Sequence, residues 1–207
     1  MKWSLALLFC VGLCCAIVAA DQPVTSVHGR DVRWNGVCLA VPNRFQPMGS
    51  FDFTLPQSAG ARTVFVEERG NAVSVMVVVQ TEHMTSASDR YDYPLQPGVE
   101  VGGVRLKINA FAAADSLNVR RAPNAETALT DQFLVNHGLS APDEWLKVRY
   151  ATYDAAGKNE FLVFYMEPLD TATLDLAAVG PSDLTAFATA FDRVRQRAGT
   201  ILTFTAC

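Results

Sequence analysis

Hydrophobic and polar residues alternate along much of the chain, the pattern of strands that bury one face. Residues 51–55 read Phe-Asp-Phe-Thr-Leu and alternate strictly, and residues 32–41 alternate more loosely up to Pro42. Both segments are predicted strands. Residues 75–79 read Val-Met-Val-Val-Val. Because consecutive apolar residues make both faces of a strand apolar, this run predicts a strand in the middle of a sheet that another element covers.

Turn-forming residues between apolar segments predict three hairpins. The first joins residues 63–67 to 73–80, the second joins 99–101 to 104–111, and the third joins 145–153 to 160–166. Gly102 and Gly103 make up the second turn, where glycine adopts the positive φ angles of a two-residue hairpin without steric strain.

Two segments have helical spacing. One begins at Asn124 as N-cap and ends at Gly138, and the other begins at Ser182, with apolar residues at helical spacing from Leu184 to Val194. A weaker extended segment covers residues 173–179. Hairpins with only two helices predict an α+β fold: a mainly antiparallel sheet with both helices packed on one face.

Residues 1–20 have the pattern of a cleavable signal peptide. Lys2 precedes an uncharged apolar run over residues 5–20, and the small residues Val18 and Ala20 precede Asp21. The alternative is a membrane anchor, which needs about 20 apolar residues, more than this run offers. We therefore expect residues 21–207 to form a single exported α+β domain without a membrane span.

The compartment is predicted to be periplasmic or extracellular. None of Cys10, Cys14 and Cys15 follows a small residue, so a soluble product is favoured over a lipoprotein. The chain has no Asn-x-Ser/Thr sequon, which favours a bacterial envelope. Cleavage would leave Cys38 and Cys207, and an even pair in an oxidising compartment predicts a disulfide. A free thiol or an intermolecular bond is the alternative.

Composition indicates a folded domain and argues against nucleic acid as a partner. Half of the residues are hydrophobic, 18% are charged and the formal net charge is −4. Arg193, Arg195 and Arg197 are the nearest approach to a basic patch, and their spacing on a helix indicates a solvated face.

No motif predicts a catalytic residue, a metal site or a cofactor. The histidines at 28, 83 and 137 form no metal-binding spacing, and no Gly-x-Ser-x-Gly sequence is present. A non-enzymatic protein is therefore expected. A secreted hydrolase with a scattered site is the alternative, its first candidates being Glu82, His83, Asp89 and Asp92.

Residues 82–97 are predicted to form a polar, aromatic loop that could contact a protein partner. The candidate contact residues are His83, Arg90, Tyr91 and Tyr93, since tyrosine and arginine are enriched at interfaces. The alternative is that Tyr91 and Tyr93 pack over the edge of the sheet.

Two segments resemble known families. Residues 34–42, Trp-Asn-Gly-Val-Cys-Leu-Ala-Val-Pro, resemble the opening strand of periplasmic immunity proteins that neutralise type VI secretion lipase effectors. The segment from Leu184 to Arg197 is similar to the last helix of that group and of Mog1/PsbP-like α+β domains. The resemblance implies a protein that binds and neutralises a secreted effector or toxin. A carrier of a small ligand or lipid remains an alternative, with an apolar cavity expected against residues 75–79.

Overall fold

The computed structural model describes residues 26–94, 96, 98–114, 125–142, 144–169 and 184–207. Within them the chain forms eleven strands and two helices. The strands are β1 (Ser26–His28), β2 (Asp31–Trp34), β3 (Val37–Ala40), β4 (Gln46–Thr54), β5 (Ser58–Arg69), β6 (Ala72–Met84), β7 (Gly98–Val101), β8 (Val104–Ala114), β9 (Glu144–Tyr153), β10 (Asn159–Pro168) and β11 (Thr203–Ala206). The helices are α1 (Glu126–Asn136) and α2 (Leu184–Ile201). The predicted signal peptide at 1–20, the caps Asn124 and Ser182 and the extended segment 173–179 lie outside the described residues.

The named strands pair antiparallel and form two sheets. The larger sheet has the order β4-β5-β6-β10-β9-β8-β7, and the smaller has the order β1-β2-β3-β11. The three predicted hairpins are confirmed as β5–β6, β7–β8 and β9–β10. β6 lies in the middle of the large sheet, as its apolar run predicts.

The predicted α+β class is wrong, because the described part of the chain is β-rich and a second sheet covers the first. The placement of both helices on one face is also wrong. Val77 and Val79 of β6 pack with Val194 of α2, whereas Met76 and Val78 pack with Leu134 of α1. Neighbouring strand residues point to opposite faces, so the two helices lie on opposite sides of the large sheet.

The small sheet shares the α2 side of the large sheet. Trp34 stacks on Phe161 of β10 with ring centroids 5.5 Å apart, and Tyr150 of β9 packs on Phe204 of β11 with centroids 5.0 Å apart. These contacts join the two sheets through one apolar core. The apolar side chains of this core are therefore committed to packing.

Residues 32–41 form two strands rather than the single strand predicted. Asn35 has φ 43° and Gly36 has φ 79°, and these two residues turn the chain between β2 and β3. Asn-Gly is a preferred sequence for such a two-residue turn. Cys38 therefore lies on the second strand of a hairpin.

The C-terminal strand β11 completes the small sheet and was not predicted as a strand. It pairs with β3, with Thr205 opposite Cys38, and Cys207 forms the predicted disulfide with Cys38. The β7–β8 turn also holds this strand, since Ala206 N donates to Gly102 O at 3.1 Å. The end of the chain is thus attached to both sheets.

Candidate functional site

The capping loop, defined here as residues 85–94, crosses the α1 side of the large sheet, where Tyr93 contacts Glu160 and Arg149. It includes three of the four predicted contact residues. Tyr91 is buried, Tyr93 is partly buried and Arg90 is exposed, while His83 lies in β6 before the loop begins. The structure therefore places the two tyrosines against the sheet and leaves Arg90 at the surface.

Polar contacts to the β9–β10 turn hold the backbone of the capping loop. Lys158 Nζ donates to the carbonyl oxygens of Ser86 and Ala87 at 3.1 and 2.7 Å, and also to that of Asp89. Tyr91 N donates to Gly157 O at 2.8 Å. These bonds hold the loop at four of the six residues from Ser86 to Tyr91.

Two carboxylates lie side by side beneath the loop. Glu82 of β6 and Glu160 of β10 are direct partners across the strands, so their side chains share the α1 face. Gln80 Nε2 donates to Glu82 Oε2 at 2.6 Å, and the Tyr93 hydroxyl donates to Glu160 Oε1. The loop thereby closes over an acidic pair.

Burial sets the protonation of this group. Burial is the largest of the causes that raise the pKa of Glu160 to about 7, and the charge of the neighbouring Glu82 also raises it. The hydrogen bond from Tyr93 and the charge of Arg149 act in the opposite direction and lower this pKa. Burial also raises the pKa of Tyr91 and of Tyr93 above the usual range, with both carboxylates adding to the effect. Both tyrosine hydroxyls therefore stay protonated at any physiological pH.

Cationic side chains continue the same face of the sheet toward α1. Arg62 of β5 donates from Nε to Gln80 Oε1 at 2.7 Å and from Nη1 to Thr130 Oγ1 at 2.8 Å. Arg149 of β9 lies over the Tyr93 ring, with Cζ 5.0 Å from the centroid. A polar band therefore runs from the acidic pair to the helix.

A pocket of about 250 Å³ lies between this band and α1. Its floor is apolar, and its rim carries charged and hydroxyl groups. The floor residues are Met76, Val78, Phe111, Phe164 and Met166, and the rim residues are Arg62, Glu126, Thr127, Thr130, Lys147 and Arg149. We call this cavity the α1 pocket.

The four candidate hydrolase residues do not face one site. Glu82 lies on the α1 side beside Glu160, whereas His83, the next residue in β6, points to the other side of the sheet. Glu82 and His83 nevertheless both line an open cleft of about 360 Å³, together with Trp34 and Asp52, and Asp89 and Asp92 do not line it. Asp89 accepts a hydrogen bond from Ser88 within the loop, and Asp92 is exposed.

Four residues of this region were not predicted as site residues from the sequence: Arg62, Lys147, Arg149 and Glu160. Lys147 and Arg149 alternate with apolar residues in β9, and this pattern is also that of a strand facing solvent. Lys147 is instead 7% exposed and Glu160 is 2% exposed. Charged residues inside strongly apolar strands were the available signal, because such groups are buried only where other groups interact with them.

Two of the C-terminal arginines form ion pairs, one within α2 and one between α2 and β10. Arg195 pairs with Asp192 at 2.8 Å, and Arg197 Nε donates to Glu167 Oε1 at 2.7 Å.

Among the described residues, no group of three or more His, Cys, Asp and Glu side chains could hold a metal ion. Neither described helix is long and apolar enough to span a membrane.

No known protein family, curated protein or solved structure matches the chain.

Proposed function

We propose that the protein is an exported, non-enzymatic binding protein that contacts a protein partner through the capping loop. The observation that carries this proposal is the fixed backbone of that loop. Lys158 and Gly157 hold it by hydrogen bonds, while Arg90, Asp92 and Pro94 are exposed. A loop that is ordered before binding loses little conformational freedom on association.

The exposed part of the loop has groups that suit a protein surface. Arg90 and Asp92 offer opposite charges within three residues, and such pairs favour a partner of complementary charge pattern. The Arg90 guanidinium keeps donors to spare, since among the described residues it makes one hydrogen bond, from Nη1 to Ala156 O at 2.5 Å. Tyr91 and Tyr93 act beneath the surface, as the support of the loop.

Neutralisation of a toxic effector in the periplasm or outside the cell is the role we propose for this binding. Its support is the signal-like segment at residues 1–20, the resemblance of residues 34–42 to immunity proteins, and the position of Asp89 and Asp92 away from the cleft that Glu82 and His83 line. The proposal requires a partner whose activity falls when the loop is bound.

Site-specific photo-crosslinking in the producing cell tests the contact surface. A photo-reactive amino acid is placed at position 90 or 92, with position 193 on α2 as the control, because Arg193 is also an exposed charged residue. We expect the same partner to be captured from 90 and 92 and not from 193. Identical products at all three positions would contradict the proposal.

The captured protein is then tested for function. Its affinity for the purified chain should fall at least tenfold in an Arg90→Glu/Asp92→Lys double variant and stay unchanged in Arg193→Glu. Production of the wild-type chain should protect cells from the partner, and the double variant should not. Unchanged affinity in the double variant, or no protection by the wild type, would overturn the proposed role.

A further inference from the structure

The α1 pocket has the two-sided chemistry of a site for a small amphiphilic anion. Its floor of five apolar side chains belongs to β6, β8 and β10, and its rim has three cationic side chains and one carboxylate. This concentration of cations is opposite in sign to the net charge of −4 of the chain. Arg62 pairs with the one rim carboxylate, Glu126, and among the described lining residues the cations still outnumber the carboxylates, which favours anions.

Arg62 is held in a fixed orientation at the rim. It is 7% exposed, and Gln80, Thr130 and the Glu126 carbonyl oxygen accept its hydrogen bonds. Its Cζ lies 5.6 Å from the centroid of Phe164 on the floor. Its Nη2 also lies 3.7 Å from Glu126 Oε1, so Arg62 contributes a positive charge fixed in position at the rim.

Arg149 has one hydrogen-bond donor, its Nε, that takes part in none of the observed contacts. Its ring contact with Tyr93 and a bond from Nη2 to Gln96 Oε1 at 3.3 Å place the side chain at the rim. Its Nε is shielded from solvent and donates to none of the described residues. A buried donor without an acceptor is destabilising, and an anionic oxygen at this position would remove that penalty.

We propose that the α1 pocket binds a small organic monocarboxylate, with the carboxylate at the Arg149 guanidinium and the hydrocarbon body on the apolar floor. The carboxylate matches the planar donor pattern of guanidinium groups. The floor favours a hydrocarbon body over a fully hydrated inorganic anion. A volume of about 250 Å³ suits a ligand smaller than the drug-sized molecules of larger pockets.

Titration of the full chain, with its disulfide intact, tests the proposal with four probes. The probes are hexanoate and 3-phenylpropionate, the neutral hexanamide, and inorganic phosphate. Calorimetry should detect the two carboxylates and give at least tenfold weaker binding for hexanamide and phosphate. If hexanamide binds as tightly as hexanoate, the pocket recognises only the hydrocarbon body. If phosphate binds as tightly as hexanoate, the pocket recognises only negative charge. Either result overturns the proposal.

Variants locate the carboxylate. Arg149→Met should weaken hexanoate binding by about tenfold to a hundredfold, the range for loss of a hydrogen bond to a charged group. Arg193→Met removes the same charge from an exposed position on the other side of the sheet and should leave binding unchanged. Equal affinity in the wild type and Arg149→Met would contradict the assignment.

Methyl NMR of the wild type gives an answer even if Arg149→Met fails to fold. Hexanoate should shift the methyl signals of Met76, Val78 and Met166 on the pocket floor and leave those of Val32 in the other core unchanged. Shifts confined to other regions would overturn the site. Arg90→Glu/Asp92→Lys should still bind hexanoate, which separates this site from the partner surface of the capping loop.

Discussion

The hydroxyl of Tyr93 donates a hydrogen bond to Glu160 Oε1, and Glu160 is 2% exposed. The bond joins the capping loop to the centre of the large sheet. Because burial raises the pKa of Glu160 from 4.5 to about 7, the folded protein binds a proton here that the unfolded chain releases at lower pH. Folding and proton binding at this residue are therefore linked.

The stability contributed by Glu160 should decline as pH rises. Between pH 4.5 and 7 the folded state holds more protons at this group than the unfolded state, so the contribution is fully present below about 4.5 and lost as pH rises through about 7. Glu160→Gln keeps the acceptor for Tyr93 without the charge. At pH 8 the variant should exceed the wild type in stability by on the order of 1–3 kcal/mol.

Urea unfolding at pH 5, 6, 7 and 8 measures this difference. Glu68→Gln is the control, since Glu68 is exposed near the end of β5 and should give a difference close to zero at every pH. A stability difference between Glu160→Gln and the wild type that is the same at all four pH values would refute the linkage.

Gly102 allows the β7–β8 turn to approach the C-terminal strand. Its φ is +59°, and a Cβ at this position would lie 1.8 Å from Phe204 O. Gly70, in the β5–β6 turn, has a similar φ of +63° but no atom within 4 Å of such a Cβ. Alanine at either position meets the same left-handed strain, and only at Gly102 does it also collide with the backbone of β11.

Gly70→Ala should therefore cost about 1 kcal/mol, the strain of left-handed backbone. Gly102→Ala should cost about 1–3 kcal/mol more, the usual range for overpacking. Urea unfolding gives both values, and hydrogen exchange should show faster exchange in β11 for Gly102→Ala only. Equal losses in the two variants would mean that β11 moves away without penalty.

The three hairpins could be predicted from sequence because turn-forming residues, such as Gly70-Asn71 and Gly102-Gly103, separate two segments rich in apolar residues. The β2–β3 hairpin was missed although its signals were present. Val32 and Trp34 are buried, and so are Val37 and Leu39, but the spacing from Trp34 to Val37 breaks the period of two. That shift, at Asn35-Gly36, marks a turn and not a continuous strand.

The remaining fold depends on contacts between distant segments. β11 has four residues, too few for a periodic pattern, and its pairing with β3 joins residues far apart in the chain. The α1 pocket likewise requires α1 to lie over β5 and β6, which local sequence patterns do not specify. The side of the sheet that each helix covers is a property of tertiary packing.

Lys158 should control the order of the capping loop. Its Nζ binds the carbonyl oxygens of Ser86, Ala87 and Asp89, and Lys158→Met removes these bonds while keeping much of the side-chain length. Amide hydrogen exchange in residues 85–90 should accelerate at least tenfold, with exchange in β6 unchanged. If the loop is the partner surface, affinity for the partner should fall as well.

Arg193→Met serves as the control, because it removes an exposed cation without touching the loop. Unaltered exchange in residues 85–90 of Lys158→Met would show that other contacts suffice to order the loop. Faster exchange with unchanged partner affinity would instead count against the loop as the binding surface.

The Cys38–Cys207 disulfide should contribute strongly to global stability. It joins residues 169 positions apart, and closing a loop of this length stabilises the folded state by about 5 kcal/mol on chain-entropy grounds, with 2–5 kcal/mol typical of native disulfides. The β3–β11 pairing and the bond from Cys207 N to Gly36 O at 3.0 Å are formed by the backbone. A Cys38→Ser/Cys207→Ser variant should therefore fold with lower stability and with faster hydrogen exchange in β11.

Urea unfolding of this variant and of the reduced wild type should give the same midpoint, below that of the oxidised wild type. An oxidised protein no more stable than the double variant would show that backbone pairing alone holds the C-terminal strand.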